Sequence, residues 1–343
     1  MNPTSYEFLS APLWLITLLH LVTLTLHFVA MGALFGGLGA LVLLRAPGKW
    51  SHPRVLAMVR LLPTLMALTV TLGVAPLLFL QLVYHRQVYA AAIVSAWFWL
   101  GVVGAVIVAY YLLYAAAFGS HRPDPAPGRQ LALALLFLLF VSLVLSSVFT
   151  LAETPAALTA AWAKDASGAV LNPEAGRWVP RWLHLVAGAL ALGSFTLAAF
   201  VRDDEKLFAA ARSSYLWTMV AAILLGFGAL AGLGEHLLPY MRSAAIWWTT
   251  ASLLLSLGSL HLLFKKRLVS AGALLFVSLV GMVVQRHLAR LLVLGDALDP
   301  AAMAVRPQWG VFGLCLVCFV AMLGVVAWML RLFFAKAAEP RGA

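Results

Sequence analysis

Nine long apolar runs alternate with short polar connections along the chain. They cover 13–44, 61–84, 91–118, 131–152, 182–201, 215–238, 244–264, 268–292 and 309–334. Each is long enough to cross a hydrocarbon core, which takes ~20 residues of helix. Backbone inside lipid must satisfy its own hydrogen bonds, so such runs are helical. The pattern therefore predicts an all-α, polytopic membrane helix bundle of about nine transmembrane helices, one integral membrane domain over 1–343. The first run exceeds what a straight span needs. It must tilt, project or bend, and Gly36-Gly37 is the expected place to bend. Pro63 and Pro76 lie inside the second run, where neighbours must satisfy the carbonyls a proline frees. The first run is also too long, and lacks the basic flank, for a cleavable signal.

Charge orients the bundle. Connections on one side carry Arg45, Lys49, Arg54, Arg60, Arg122, Arg129, Arg202, Lys206, Arg212, Lys265, Lys266 and Arg267, and the C-terminal end adds Arg331, Lys336 and Arg341. The other side has Arg86, Lys164, Arg177, Arg181, Arg242, Arg286, Arg290 and Arg306, so the 23 basic residues divide fifteen to eight. The positive-inside rule places the N-terminus outside and the C-terminus, with a tail over 335–343, in the cytoplasm. The longest connection, 153–181, is then outer. Asp165-Ala166-Ser167-Gly168 and Asn172-Pro173-Glu174 give it turn chemistry, and Trp162, Trp178 and Trp182 suit an interfacial lid. A net charge of +11 with 64% hydrophobic and 10% charged residues reads as basic loops against anionic lipid. No basic run interleaved with aromatics points to nucleic acid.

The polar residues inside the spans carry the chemistry. His20 and His27 share one face of the first span, about two turns apart. His85, His184, His236 and His287 also fall in the outer half or at the outer surface, whereas His52, His121 and His261 lie toward the inner side. An imidazole in lipid is costly unless it meets a partner, and it is a common axial ligand of haem iron. The first-span pair could serve two haems, one haem and one packing contact, or only hydrogen bonds between helices. No Asp or Glu lies in the middle of a span; Glu153 and Glu235 stand at outer ends. Proton pumps place carboxylates in the membrane, and none is offered here. Cys315 and Cys318 have CxxC spacing without a following histidine, so they are not a covalent haem site.

Several segments resemble subunit I of the cytochrome bd-type quinol oxidases. Leu26-His27-Phe28 is similar to that family's first-span haem ligand, and Trp182-Leu183-His184-Leu185-Val186-Ala187-Gly188 looks like the motif opening its fifth span, whose histidine ligates low-spin haem b. The likeness covers 13 to about 242, and that family's nine spans with an outer N-terminus agree with the topology read above. It departs in having no glutamate in spans three and nine, and in an outer connection after span six cut to Glu235-His236-Leu237-Leu238-Pro239-Tyr240-Met241-Arg242. There Met241 precedes Arg242, which puts the family's methionine ligand in doubt and leaves His287 or His236 to replace it. The six histidines of the outer half suggest two or more haem b groups; the resemblance implies His27 and His184 as ligands, while His20 and His287 are further ligands by depth and spacing. Glu235, His236, Tyr240 and Arg242 are quinone-site candidates, with a helix cap and a snorkelling arginine as the plainer reading. The expected function is electron transfer between membrane quinol or quinone and a c-type cytochrome at the outer face of a bacterial-type inner membrane, alongside other membrane subunits. The missing glutamates imply that the chain does not itself reduce oxygen. The rival is a non-redox transporter or anchor subunit.

Overall fold

The computed structural model describes residues 8–338; Arg341 and the end of the expected tail lie outside them. Among the described residues, eight helices are long and apolar enough to cross a membrane, and a further helix is apolar over Trp309–Met322. The chain is an all-α polytopic membrane protein. Its described residues divide into two units, 17–299 and 8–16 with 300–338.

In the larger unit, α1 (Leu13–Met31, which begins in the smaller unit) passes through one turn of π-helix, Gly32–Gly36, into α2 (Gly37–Leu43). The expected bend at Gly36-Gly37 is thus a π-bulge ending at Gly36. Its cause is a helix crossing. A Cβ on Gly36 would collide with the Ala189 carbonyl, and one on Gly193 would collide with the Gly36 backbone, both across to α7 (Ala175–Phe200). Only glycine lets two backbones approach so closely in a membrane. The α2 helix ends where Lys49 donates its ammonium hydrogens to the carbonyls of Leu41 at 2.7 Å and Leu44 at 2.6 Å.

The second span, expected over 61–84, is longer: α3 runs Pro53–Val94. Proline in its first turn costs no hydrogen bond there. Pro63 and Pro76 do not break it; the residue that leaves helical geometry is Tyr84 (φ −118°, ψ 31°). Beyond Tyr84 the helix belongs to a cap at one end of the bundle. The connection expected to be a loop over 153–181 holds α6 (Pro155–Lys164) and the first turns of α7. Main-chain bonds from Trp97 to Gly168 and from Val170 to Val94 tie 165–174 to the end of α3 and the first turn of the helix after it. The expected tryptophan lid is only partly that: Trp162 is exposed, but Trp178 is buried and donates its indole N–H to the Asn172 carbonyl at 2.9 Å, and Trp182 donates to Ser142 Oγ at 2.9 Å.

The remaining spans are α4 (Ala96–Gly119), α5 (Gly128–Ala152), α8 (Glu205–Ala231), α10 (Ala244–Phe264) and α11 (Leu268–Leu294), with the short α9 (Leu237–Met241) between α8 and α10. Side-chain oxygens start two of them: Asp204 accepts from the Leu207 N–H and Ser243 from the Ala245 N–H. The α10 and α11 helices are joined by serines. Ser278 Oγ donates to the Ser252 carbonyl at 2.8 Å and meets Ser256 Oγ at 2.7 Å, while Ser259 Oγ donates to the Ala271 carbonyl at 2.8 Å. Such interhelical bonds contribute on average ~0.6 kcal/mol each, modest singly but directional.

In the smaller unit, two-residue strands β1 (Phe8–Leu9) and β2 (Ala304–Val305) pair in parallel, Phe8 against Ala304 and Leu9 against Val305. The α12 helix (Trp309–Ala338) follows. It continues through 335–338, which were expected as tail.

Candidate functional site

Two polar features stand in the larger unit. The first is a set of imidazoles pinned to backbone. On α1, His20 Nδ1 lies 3.1 Å from the Pro76 carbonyl and His27 Nδ1 lies 3.1 Å from the Thr69 carbonyl. The two carbonyls are seven residues apart on α3, in reverse order. Antiparallel helices of equal rise therefore match each imidazole to one carbonyl. On α7, His184 Nδ1 lies 2.8 Å from the Ala222 carbonyl of α8. A carbonyl only accepts, so Nδ1 carries the proton in all three rings. The opposite nitrogen, Nε2, is left with its lone pair, and it makes no hydrogen bond among the described residues. Room for two of the rings comes from glycine. A Cβ on Gly73 would sit 2.9 Å from the His27 ring, and one on Gly226 would sit 3.1 Å from the His184 ring. His184 does not open its span as expected. It lies nine residues into α7, roughly 14 Å along the helix.

A ring held by Nδ1–H on a carbonyl, with Nε2 free, is the second-layer arrangement that orients metal-ligating histidine. In tautomer, then, His20, His27 and His184 are suited to ligate a metal through Nε2, and of the three His20 has that nitrogen buried. No group of three or more His, Cys, Asp or Glu that could hold a bare metal ion occurs among the described residues. Cys315 and Cys318 are exposed on α12.

The second feature is a buried charge cluster at the end of the bundle that the charge bias assigns to the outside. Glu153, the residue after α5, is buried and accepts hydrogen bonds from Arg181 Nη1 at 3.1 Å, Arg290 Nε at 3.0 Å and Arg286 Nη2. Burial alone would push this carboxyl up, but Arg286, Arg181 and Arg290 together outweigh it and hold the group far below the usual carboxylate range. The Arg290 guanidinium also lies 5.5 Å from the centre of the Tyr84 ring, at the break in α3. His287 stands on the same stretch of α11, within electrostatic reach of Arg290 and His20.

The quinone-site candidates separate. Tyr240 is buried, donates to Gln285 Oε1 at 2.7 Å and meets Thr249 Oγ1 at 2.5 Å, next to Arg286. Burial pushes its phenol up. Glu235 and His236 leave the expected span six, which ends at Ala231, and contact one another at 3.6 Å in a 3-10 turn. Arg242 is exposed. An apolar cavity of about 200 Å³ opens elsewhere between α1, α7 and α11, lined by Val29, Ala33, Leu192, Phe195, Leu275 and Phe276; its walls suit a hydrocarbon chain.

Glu153, Arg181, Arg286, Arg290, Tyr84 and Gln285 were not among the expected site residues. One signal for them was present. Arg286 and Arg290 counted as outer loop charge, yet they lie inside α11, where an arginine needs a partner. Taking them and Arg181 out of the outer loops widens the basic bias. Compared with family models, curated proteins and solved structures, the chain matches none.

Proposed function

We propose that this chain is a haem b-carrying membrane subunit, related to subunit I of the cytochrome bd-type quinol oxidases, that passes electrons between a membrane quinol and a c-type cytochrome partner at the outer face of a bacterial-type cytoplasmic membrane. The observation that carries the reading is the pinning of histidines on two separate spans, α1 and α7, by Nδ1–H to a neighbouring helix's carbonyl, leaving Nε2 free. A neutral ring pinned in this way presents its Nε2 lone pair, the atom that ligates iron, in a fixed direction. His27 and His184 would hold a haem through Nε2, and its iron would supply one-electron chemistry. The carbonyls of Thr69 and Ala222 fix the ring tautomers. Glycines at 73 and 226 leave space for the rings.

Quinol oxidation also requires groups that receive protons. Tyr240, hydrogen-bonded to Gln285 and Thr249 at the outer end, is the candidate that is buried rather than solvent-facing. The spans carry no carboxylate in their middle, which supports electron transfer without oxygen reduction by this chain.

The test is a visible spectrum of the purified protein, with pyridine haemochrome quantitation. His27→Ala and His184→Ala should each lower haem per chain. A colourless wild-type protein, or full haem retention in both variants, sinks the reading in favour of a non-redox transporter or anchor subunit. Carbon monoxide added to the reduced protein should leave the spectrum nearly unchanged, because His27 and His184 would both be engaged in holding the iron.

A further inference from the structure

The apolar cavity between α1, α7 and α11 is a groove with three walls. Ala33 belongs to the α1 wall, Leu192 and Phe195 to the α7 wall, and Leu275 and Phe276 to the α11 wall. Thr196 also lines it, but its hydroxyl donates to the Leu192 carbonyl at 2.9 Å, so the walls present no free donor. Phe276 and, seven positions before it, Val269 are exposed, which marks the side of α11 that faces lipid.

The depth of the groove matches one leaflet. On α11 its lining runs from Gly272 to Leu279, four to eleven residues past the start of the helix at Leu268. That is roughly 6 to 17 Å along the helix. Half of a ~30 Å hydrocarbon core is ~15 Å. The groove therefore lies in the acyl region of the leaflet nearest residues 201–206 and 265–267, the end that the charge bias assigns to the inside.

That end carries unspent positive charge. Arg202 follows Phe195 by seven positions, about two turns, at the foot of the α7 wall, and Lys265 and Arg267 stand just before α11. All three are exposed. The neighbouring acids are engaged elsewhere. Asp203 pairs with Arg54, Asp204 accepts from the Leu207 N–H and lies 3.5 Å from His52, and Glu205 pairs with Lys266. Arg202 reaches Asp203 only at 3.7 Å, and among the described residues Lys265 and Arg267 are in no ion pair.

An apolar groove of one leaflet's depth that ends among unpaired cations suits a molecule with hydrocarbon on one side and an anion on the other. Basic groups at the membrane surface attract anionic headgroups, and phosphate oxygens accept from several cations at once. A neutral quinone offers the cations no charge, and its ring carbonyls would find no donor in the walls.

We propose that this groove holds one acyl chain of an anionic phospholipid, whose phosphate is met by Arg202, Lys265 and Arg267. The lipid fills the joint between α11 and the crossing of α1 with α7. Ala33 lies in the π-helical turn of that crossing, and a Cβ on Gly272 would stand 3.2 Å from the Phe195 ring, so α7 and α11 already meet beside the groove. The proposal does not depend on the reading of the chain as a haem carrier.

The experiment uses the full chain, purified in detergent with its native cofactors, stripped of lipid and given phosphatidylglycerol or phosphatidylcholine with the same acyl chains. Phosphatidylglycerol at about a hundredfold over its half-saturating concentration should raise the melting temperature by roughly 5 °C, and phosphatidylcholine by clearly less. Arg202→Gln, Lys265→Gln and Arg267→Gln together should erase the difference between the two lipids. Ala33→Leu, which narrows the groove, should lose most of the rise. Photolabelling of the unaltered chain needs neither variant to fold. Phosphatidylglycerol with a diazirine on its acyl chain should mark 192–196 or 272–279, and unlabelled phosphatidylglycerol should compete the label away where a quinone does not. Equal rises with both lipids, an unchanged response in either variant, labelling confined to other parts of the bundle, or competition by the quinone would each overturn the proposal.

Discussion

The two ends of the larger unit use the same charged residue types to opposite effect. At the inner end, as the charge bias orients it, ion pairs lie in solvent. Lys266 meets Glu205 at 2.5 Å with side chains 53% and 69% exposed, and Arg54 pairs with Asp203 while both are about half exposed. At the outer end Glu153 and Arg290 are 7% and 9% exposed. Exposed pairs contribute ~0–1 kcal/mol, because water and salt screen them. Breaking a buried pair costs about 3–5 kcal/mol, because a charge is left without solvent. The inner pairs dress a surface. The outer cluster is structural.

The widest test of this contrast is orientation. A cysteine at Ser167, in the outer loop, should react with an impermeant thiol reagent in intact cells. Ser120 is a poor inner reporter, because it is buried with its hydroxyl donating to the Ala117 carbonyl. Asp124 is exposed, and a cysteine there should react only after lysis. The reverse pattern would exchange the two ends.

Next in size is Glu153→Gln, which leaves three guanidiniums without their counter-charge. We expect a loss of about 3–5 kcal/mol, read as a collapse in folded, monodisperse protein after extraction. Because its carboxyl is held below the ordinary range, Glu153 contributes stability that is fully present above the unfolded value of ~4.3 and is lost only as pH falls through the lower folded value. Thermal unfolding followed from pH 7 to pH 5 should therefore show no loss assignable to this residue, and a Glu153-dependent transition in that window would contradict the cluster.

Gly193→Val should follow, because its side chain meets the Gly36 backbone rather than a movable side chain. The expected cost is at or above the ~3 kcal/mol end of overpacking. A melting temperature equal to that of wild type would show that α1 and α7 do not cross there. The smallest effect belongs to Lys266→Ala, expected within ~1 kcal/mol of wild type. A larger loss would erase the distinction between the two ends.

The sequence by itself determined the spans, because hydropathy is a local property and lipid permits little besides helix. It located α10 (Ala244–Phe264) to the residue and marked Gly36-Gly37 as the weak point of the first span. It also drew attention to His27 and His184 through a resemblance and to His20 and His287 through depth and spacing. Tertiary structure decided what those residues face. The carbonyls of Thr69, Pro76 and Ala222 have no signature, since every residue carries one, and only helix pairing selects them. Tyr84 breaks α3 although Pro63 and Pro76 were the visible breakers. Glu153 looked like an ordinary residue at the end of a span. It is a buried counter-ion because Arg286 and Arg290, more than 130 positions later, fold back onto it. Burial is a sum over distant neighbours, and no window along the chain contains that sum.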